Sequence, residues 1–303
     1  MPGRVEWGAD MKKMLCVLLL MLLGVAWAGS VKVASLHPLL SDMARRVGGE
    51  HVEVVDLFPP NAQLHAFEPS HAALAAAAGC RLTLACGKGV EPYLADLREA
   101  FGPQVLVLEL GASVPDVEVP GGGVVDPHWW NAPENMKRAS LALADALSAQ
   151  APEHAEAFAA AQGEYARDMD RLTREARLQL ARVPRSARVL VTAHAAMCHF
   201  CKAFRLEPVA AQGVAKESEG DMAHLAQLLA KLRQSRVRCL FAEVQDSPKI
   251  IETLAQELGA EVRPLAMDGV APDLHDYESL FLFNLRSICA GLAPEPPAST
   301  TTP

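Results

Sequence analysis

After residue 25 the sequence has no apolar run long enough to span a membrane, no short-period repeat and no local His-Glu-x-x-His pair. These absences exclude a protein with several membrane spans and a metal site built on one helix. Acidic residues outnumber basic ones by 36 to 28, and the two signs are interspersed. We therefore expect no basic face for nucleic acid and no nucleic-acid partner, and a cationic or neutral ligand rather than a polyanion.

The one long apolar run lies at the N-terminus and has the features of a secretory signal. Two lysines precede the apolar residues 14–25, and Ala-Trp-Ala at 26–28 supplies the small residues that a signal peptidase requires. We expect residues 1–28 to be a signal peptide, with Met11 as an alternative start, and the mature chain to be in the periplasm. No cysteine stands at the predicted cleavage point, so the sequence indicates no lipid anchor.

Six of the seven cysteines lie outside the expected signal peptide, and in an oxidising compartment some of them should pair. Cys198 and Cys201 form a Cys-x-x-Cys motif, which is a weak indication of a redox pair. Cys80 and Cys86 flank a predicted strand, and an extended strand would hold them too far apart to bond each other. Composition leaves the pairing of these four open.

From residue 31 onward, short β-rich runs alternate with longer helical ones, which is typical of α/β lobes with mostly parallel sheets. A helix-forming stretch at 133–182, broken at Pro152 and Gly163, predicts a helix that ends the first lobe and a long helix that crosses to the second. We expect two Rossmann-like lobes joined by one long connecting helix. The predicted strands are residues 31–36, 51–58, 81–85 and 104–109 in the first lobe and 187–192, 207–212, 237–242 and 261–265 in the second. The expected boundaries are 29–150 for the N-terminal lobe, 151–185 for the linker helix, 186–293 for the C-terminal lobe and 294–303 for a disordered tail.

Three histidines and one aspartate follow predicted strands. His65 comes after the second strand, His128 after the loop beyond the fourth, and His194 directly after the first strand of the second lobe. Asp268 follows the last strand. Ligands bind beyond the carboxyl ends of strands in open sheets of this kind, so we expect all four at one cleft between the lobes. Three imidazoles and one carboxylate complete a tetrahedral shell for a borderline divalent ion and leave no position open for a substrate.

The motifs around these residues resemble those of metal-specific solute-binding proteins of ABC transporters, the cluster A-I family of zinc-uptake and manganese-uptake receptors. The shared motifs are His-x-x-Glu-Pro-Ser at 65–70, Asp-Pro-His-x-Trp at 126–130, Thr-x-His at 192–194 and Leu-Phe-Ala-Glu at 240–243. The resemblance extends over nearly the whole mature chain. It implies a binding protein and not an enzyme, and a metal held by His65, His128, His194 and Asp268. It also implies delivery to an ABC permease and its ATPase in the inner membrane, with a periplasmic metallochaperone as a further candidate partner and a monomer as the expected state.

Ligand softness favours Zn²⁺ as the transported ion. Three imidazoles and one oxygen suit zinc better than Mn²⁺, which prefers oxygen-rich shells and stays the alternative. A dication with one carboxylate ligand keeps positive charge in a partly closed cleft, so further carboxylates should lie nearby. By motif, Glu68 and Glu243 are the candidates for orienting the histidine rings. The alternative for Glu243 is that it fixes loop backbone at the end of its strand.

The same resemblance implies a disulfide between Cys239 and Cys289, which would fasten the last helix to a strand of the second lobe. Two free, buried thiols are the alternative.

The chain also departs from the family pattern. Residues 195–199 read Ala-Ala-Met-Cys-His where relatives commonly have Asp-Ala-Phe-x-Tyr, so His199 takes the place of an aromatic residue. It is either an auxiliary ligand with Cys198 or Cys201, or a buried or capping histidine. We expect His37 to lie at the surface or to cap a helix, and Trp129 to pack the first lobe together with Trp130. The histidine-rich insertion of many zinc receptors is absent between the first two ligands.

Three other functions compete with a metal receptor. A zinc-dependent hydrolase or chelatase-like enzyme on a two-lobed fold would need an open metal position and a placed base, which the four-donor shell does not provide. A receptor for haem or a metal chelate would line its cleft with arginine and aromatic residues. A surface adhesin is the third, and no feature of the sequence favours it.

Overall fold

In this computed structural model, the alternation of short apolar runs and longer helical runs forms two four-stranded parallel sheets. The structure describes residues 30–59, 62–121, 123–212, 222–244, 247–267, 274 and 276–293. The expected signal peptide, the expected tail and Asp268 lie outside the described residues.

The first sheet has the strand order β2-β1-β3-β4, and neighbouring strands run parallel. All four positions of β3 are buried, as are four of the five in β1. Helices on both faces of a parallel sheet explain why these central strands are nearly continuous apolar runs. The elements are β1 (Val31–Ser35), α1 (Pro38–Gly48), β2 (Val52–Asp56), α2 (His71–Ala77), β3 (Leu82–Ala85), α3 (Leu94–Phe101) and β4 (Leu106–Glu109).

Two long helices follow, α4 (Pro133–Gln150) and α5 (Ala155–Leu180). Pro152 separates them, as predicted. Gly163, the other interruption in the run of helix-forming residues, does not interrupt α5, which continues through it as the expected linker helix does. A glycine inside a helix costs only about 1 kcal/mol relative to alanine. The buried side chains of α5, from Phe158 to Leu180, keep their helical spacing on both sides of it, so the packed face outweighs that cost.

The second sheet repeats the architecture of the first, with the order β6-β5-β7-β8 and parallel neighbours. Every predicted strand overlaps an observed one, and the α/β architecture with mostly parallel sheets is confirmed. The boundaries assigned to the lobes and the linker stay predictions. The elements are β5 (Val189–Thr192), α6 (Cys198–Phe204), β6 (Glu207–Ala210), α7 (Met222–Gln234), β7 (Cys239–Glu243), α8 (Lys249–Leu258), β8 (Glu261–Leu265) and α9 (Tyr277–Leu292).

The contacts of the described residues place both sheets in one compact unit. Helix α5 packs against helices from both halves. Asp168 forms an ion pair with Arg46 of α1, and Arg171 donates to Glu278 of α9 at 2.6 Å. These side chains are partly exposed, so each pair contributes at most about 1 kcal/mol. Full burial of Phe158 contributes about 1.5–3 kcal/mol, so apolar packing holds the helix more than its ion pairs do.

Within the described residues, no helix combines the length and the apolar character needed to cross a bilayer. None of the described cysteines forms a disulfide. The pairing of Cys239 with Cys289 therefore stays a prediction.

Replacement of Gly163 by alanine should stabilise the protein. A Cβ atom at this position would meet only a guanidinium nitrogen of Arg167, at 3.6 Å, which is an ordinary contact. We expect the free energy of unfolding to rise by about 0.5–1 kcal/mol, measured by urea denaturation, because alanine loses less backbone entropy on folding.

The matched control is Gly291→Ala in α9, where a Cβ would meet Cys239 Sγ at 2.5 Å and a ring carbon of Phe241 at 2.9 Å. That variant should lose stability. A loss for Gly163→Ala as well would contradict an uninterrupted α5.

Candidate metal centre

The central strands of the second sheet bring one histidine and one glutamate together. His194 follows β5, and Glu243 is the last residue of the neighbouring strand β7. Both side chains are buried, and Nδ1 of His194 is hydrogen-bonded to the Glu243 carboxylate. Thr192 Oγ1 donates to the His194 carbonyl at 2.7 Å. The backbone and the ring of His194 are thus both fixed at the carboxyl edge of the sheet.

A second buried carboxylate holds His128. Asp126 Oδ1 accepts from the backbone N–H of His128 at 2.9 Å and contacts its Nδ1 at 2.7 Å. A carboxylate only accepts hydrogen bonds, so Nδ1 carries the proton. Burial by itself would raise the pKa of Asp126. The hydrogen bonds and electrostatic attraction of His128 outweigh burial and hold the pKa below its usual range.

The same carboxylate also connects the two halves of the molecule. Oδ2 of Asp126 accepts from the backbone N–H of Cys198, the first residue of α6, at 2.9 Å. Asp126 was not among the residues that we expected at the site. The available signal was its position two residues before His128, since a short Asp-x-His spacing lets the carboxylate reach both the backbone and the ring of the histidine.

His128 and His194 lie side by side. Their ring centroids are 5.1 Å apart, and the ring planes are inclined at 67°. One histidine comes from the loop before α4 and the other from the strand end of the second sheet, so the fold brings together two of the four predicted ligands from distant parts of the chain.

The other two predicted ligands are less fully described. His65 belongs to a short 3-10 helix, Leu64–Ala66, that follows β2. Its side chain, like the whole of Asp268, lies outside what the structure describes. Among the described side chains, no group of three or more His, Cys, Asp or Glu residues is arranged to hold a metal ion. The four-residue site therefore stays a prediction.

The backbone just before Asp268 is held by hydrogen bonds from two other side chains. Asn284 of α9 donates to the carbonyl of Ala266 at 2.7 Å and accepts from its N–H at 2.8 Å. Trp130 Nε1 donates to the carbonyl of Met267 at 2.8 Å, and the same indole ring lies 5.3 Å from the ring of His128. We expected Trp130 to pack the first lobe, and it is fully buried. It also bonds a residue of the second half, which the sequence did not indicate.

His199 is a buried structural residue. Its Nε2 lies 3.0 Å from the carbonyl of Asp126 and its Nδ1 lies 3.0 Å from the side-chain nitrogen of Asn135. Nε2–H therefore donates and Nδ1 accepts. Both ring nitrogens are used within the protein, which supports the buried reading over that of an auxiliary ligand. Burial also raises the pKa of Cys198 to about 12, which favours the neutral thiol over the more reactive thiolate.

Two further predicted positions differ in environment. Glu68 is exposed, whereas Glu243 contacts a histidine.

His37 caps α1, as one of our alternatives held, because its Nδ1 accepts from Leu39 N–H at 3.1 Å. It is fully buried, so the surface alternative is wrong. The reason is Trp130, whose ring centroid lies 4.7 Å from that of His37.

Two parallel α/β halves that meet at a pair of carboxylate-held histidines have the architecture of a two-lobed binding protein. Residues 33–291 match the family model described as ZnuA, zinc-uptake complex component A, periplasmic. The chain belongs to this family, and the resemblance inferred from its motifs is confirmed.

Known relatives agree in class and differ in metal. The manganese-binding lipoprotein MntA of Bacillus subtilis is 24% identical over 274 residues, which cover 86% of this chain and 90% of the relative. The iron-binding protein YfeA of Yersinia pestis is 25% identical over 270 residues, with 87% of each chain covered. A crystal structure of a ZnuA deletion mutant with zinc bound has a TM-score of 0.79 and 25% identity, and covers 88% of this chain and 100% of that one.

Asp126→Asn should destabilise the folded chain. The amide replaces one of two accepting oxygens with a donor, so at least one buried hydrogen bond to His128 or Cys198 is lost. We expect the free energy of unfolding to fall by about 1–3 kcal/mol in chemical denaturation.

Asp116→Asn is the matched control. Asp116 precedes His128 in the same connecting segment, but its side chain is 65% exposed and pairs with Lys88. Its replacement should change stability by no more than about 0.5 kcal/mol. Equal losses in the two variants would contradict a specific role for the buried carboxylate.

Proposed function

We propose that this protein is a periplasmic receptor that captures one divalent transition-metal ion and delivers it to an ABC permease and its ATPase. The observation that carries the proposal is the pair formed by His128 and His194. Two imidazoles from different halves, each held at Nδ1 by a buried carboxylate, are typical of metal-binding histidines, whose second ring nitrogen coordinates the ion. Two relatives, one named as manganese-binding and the other as iron-binding, support the same class.

We propose His65, His128, His194 and Asp268 as the ligands. His65 follows β2, at the edge of the first sheet where strands end. Asp268 follows Met267, whose carbonyl is bonded to Trp130 beside His128. This backbone anchor supports a position of Asp268 near the histidine pair. Coordination through Nε2 of His128 and His194 follows from the use of Nδ1 by Asp126 and Glu243.

Zinc is the proposed cargo, with manganese as the alternative. Three imidazoles and one carboxylate match the tetrahedral preference and borderline softness of Zn²⁺. A dication with a single carboxylate ligand keeps a net positive charge. The buried carboxylates of Asp126 and Glu243 lie nearby and balance that charge. The relatives are named for different metals, so the argument for zinc rests on the proposed ligands, three imidazoles and one carboxylate. A closed four-donor shell has no open position for catalysis, and we propose no enzymatic activity.

Capture should involve local movement near the site. Asn131 donates to the carbonyl of Ala196 at 2.9 Å, and Asp126 bonds the N–H of Cys198. These two bonds tie the two halves together next to the histidine pair, so a wide opening would break both. We propose that the segment around His65 moves instead, together with a small tilt of the lobes.

We also propose the disulfide between Cys239 and Cys289. Cys239 Sγ faces α9 closely enough that a Cβ atom at Gly291 would meet it at 2.5 Å, and Cys289 lies on the same helix. A bond here would fasten α9 to β7 in an oxidising compartment.

Metal content is the direct test of the function. The chain purified from rich medium should carry about one equivalent of zinc by mass spectrometry. After the metal has been stripped, zinc should bind far more tightly than manganese in competition with a chromophoric chelator, because imidazole ligands favour zinc. Absence of tight binding for both ions would refute the receptor, and a preference for manganese would refute the assigned cargo.

Glu243→Gln should weaken zinc binding about 10–100-fold while the protein stays folded, because the amide holds the His194 ring less firmly and removes a negative charge. The affinity is measured by the same chelator competition, and folding by circular dichroism. Glu91→Gln is the matched control. Glu91 is another buried carboxylate, but it accepts from the backbone N–H groups of Cys86 and Gly87 and not from a histidine. Unchanged zinc affinity in Glu243→Gln would rule out the orienting role.

A further inference from the structure

The amino-terminal edge of the second sheet is lined by arginines. We define the basic edge as Arg177, Arg185, Arg205 and Arg236. They lie at the end of α5, just before β5, at the end of α6 and just before β7. From the interspersed charges we expected no basic face for nucleic acid, and this stays a prediction. The ends of successive helices nevertheless bring arginines from distant positions to one edge.

Contiguous surface grooves connect these residues. One groove lies between Arg177 and Arg205 and shares Arg188 and Arg205 with a larger groove. The larger groove extends to Arg236 and in turn shares Ser186, Ser235 and Arg236 with a third. The basic edge is therefore one continuous surface and not a set of isolated charges.

Part of this positive charge is used within the fold and part is not. Arg188 donates to the carbonyls of Val183 and Leu180, so it closes the end of α5. By contrast, Arg185, Arg205 and Arg236 are exposed, and none of them forms an ion pair with another described residue. The acidic residue that lines the larger groove among the described residues is Glu207. It is already paired with Lys231 at 3.1 Å.

Two of these arginines stand where the backbone disfavours them. Arg205 has φ of 60° and Arg236 has φ of 50°, in the left-handed region that glycine and asparagine adopt at lower cost. Local preference alone would place a small residue at such helix ends. Side chains that oppose local preference are expected where a surface serves a function.

We infer that the basic edge is a docking surface for the phosphate headgroups of an anionic membrane. Its arginines are exposed along open grooves, which suits a broad array of phosphates better than a single enclosed anion. The guanidinium group binds phosphate oxygens in a bidentate manner. The edge lies at the amino ends of β5 and β7, and His194 and Glu243 lie at their carboxyl ends. Lipid contact therefore leaves the histidine edge uncovered and holds the protein at a surface without occupying its metal site.

The test is co-sedimentation of the purified chain with vesicles of phosphatidylglycerol and phosphatidylcholine in equal parts. The chain should bind these vesicles, should not bind vesicles of phosphatidylcholine alone, and should dissociate as salt is raised. The variant carries Arg185→Gln, Arg205→Asn and Arg236→Asn. Asparagine removes the charge and suits the left-handed backbone. Each arginine near an anionic leaflet contributes about fivefold to binding, so the triple variant should bind at least about tenfold more weakly.

The matched control removes three exposed arginines elsewhere, by Arg98→Gln, Arg138→Gln and Arg167→Gln, with the same change in net charge. It should bind vesicles as the unmodified chain does. Zinc titration of both variants separates this inference from the proposed function, because neither set of substitutions touches the histidine pair. Three results overturn the inference: no binding of the unmodified chain to anionic vesicles, equal losses in both variants, or binding to duplex DNA with none to vesicles.

Discussion

The carboxylate of Asp126 is the constraint on which the site depends. It is removed from water, accepts hydrogen bonds from the backbone and the ring of His128, and reaches across to the first turn of α6. A buried carboxylate is costly unless its oxygens are satisfied, and here both oxygens are used. The result is that the orientation of one imidazole and the approach of the two halves are set by the same side chain. Breaking the bonds of Asp126 to His128 or to Cys198 would leave one of its buried carboxylate oxygens without a hydrogen bond.

The two halves hold their histidines by different means. In the second half, Glu243 stands at the end of a central strand and meets His194 from the neighbouring strand, so the sheet itself sets the distance between them. In the first half the carboxylate comes from the same loop as its histidine. The loop gains rigidity from His199, which donates to the carbonyl of Asp126, and from Asn135, which bonds the other nitrogen of that ring. A substitution that departs from the family pattern is therefore part of the framework of the site.

The sequence predicted the strands, their parallel arrangement and the edge where the histidines lie, because those follow from local apolar periodicity and from the rule that ligands bind beyond strand ends. It could not show which distant groups meet. The bond from Trp130 to Met267 joins residues far apart in the chain, and no local pattern signals it. The same holds for the basic edge, since its arginines are scattered in sequence and only the packing of the helices collects them. Gly163 shows the converse: local propensity disfavours a helix at this residue, and tertiary packing overrides that preference.

Helix α5 has a mechanical consequence. It runs without interruption for 26 residues and is tied by side chains to α1 on one side and to α9 on the other. A continuous helix bonded to both halves resists their separation. When one half is displaced, the helix displaces the other. Force applied to either half would thus reach the other half through α5 and displace His128 relative to His194, because the two histidines come from different halves.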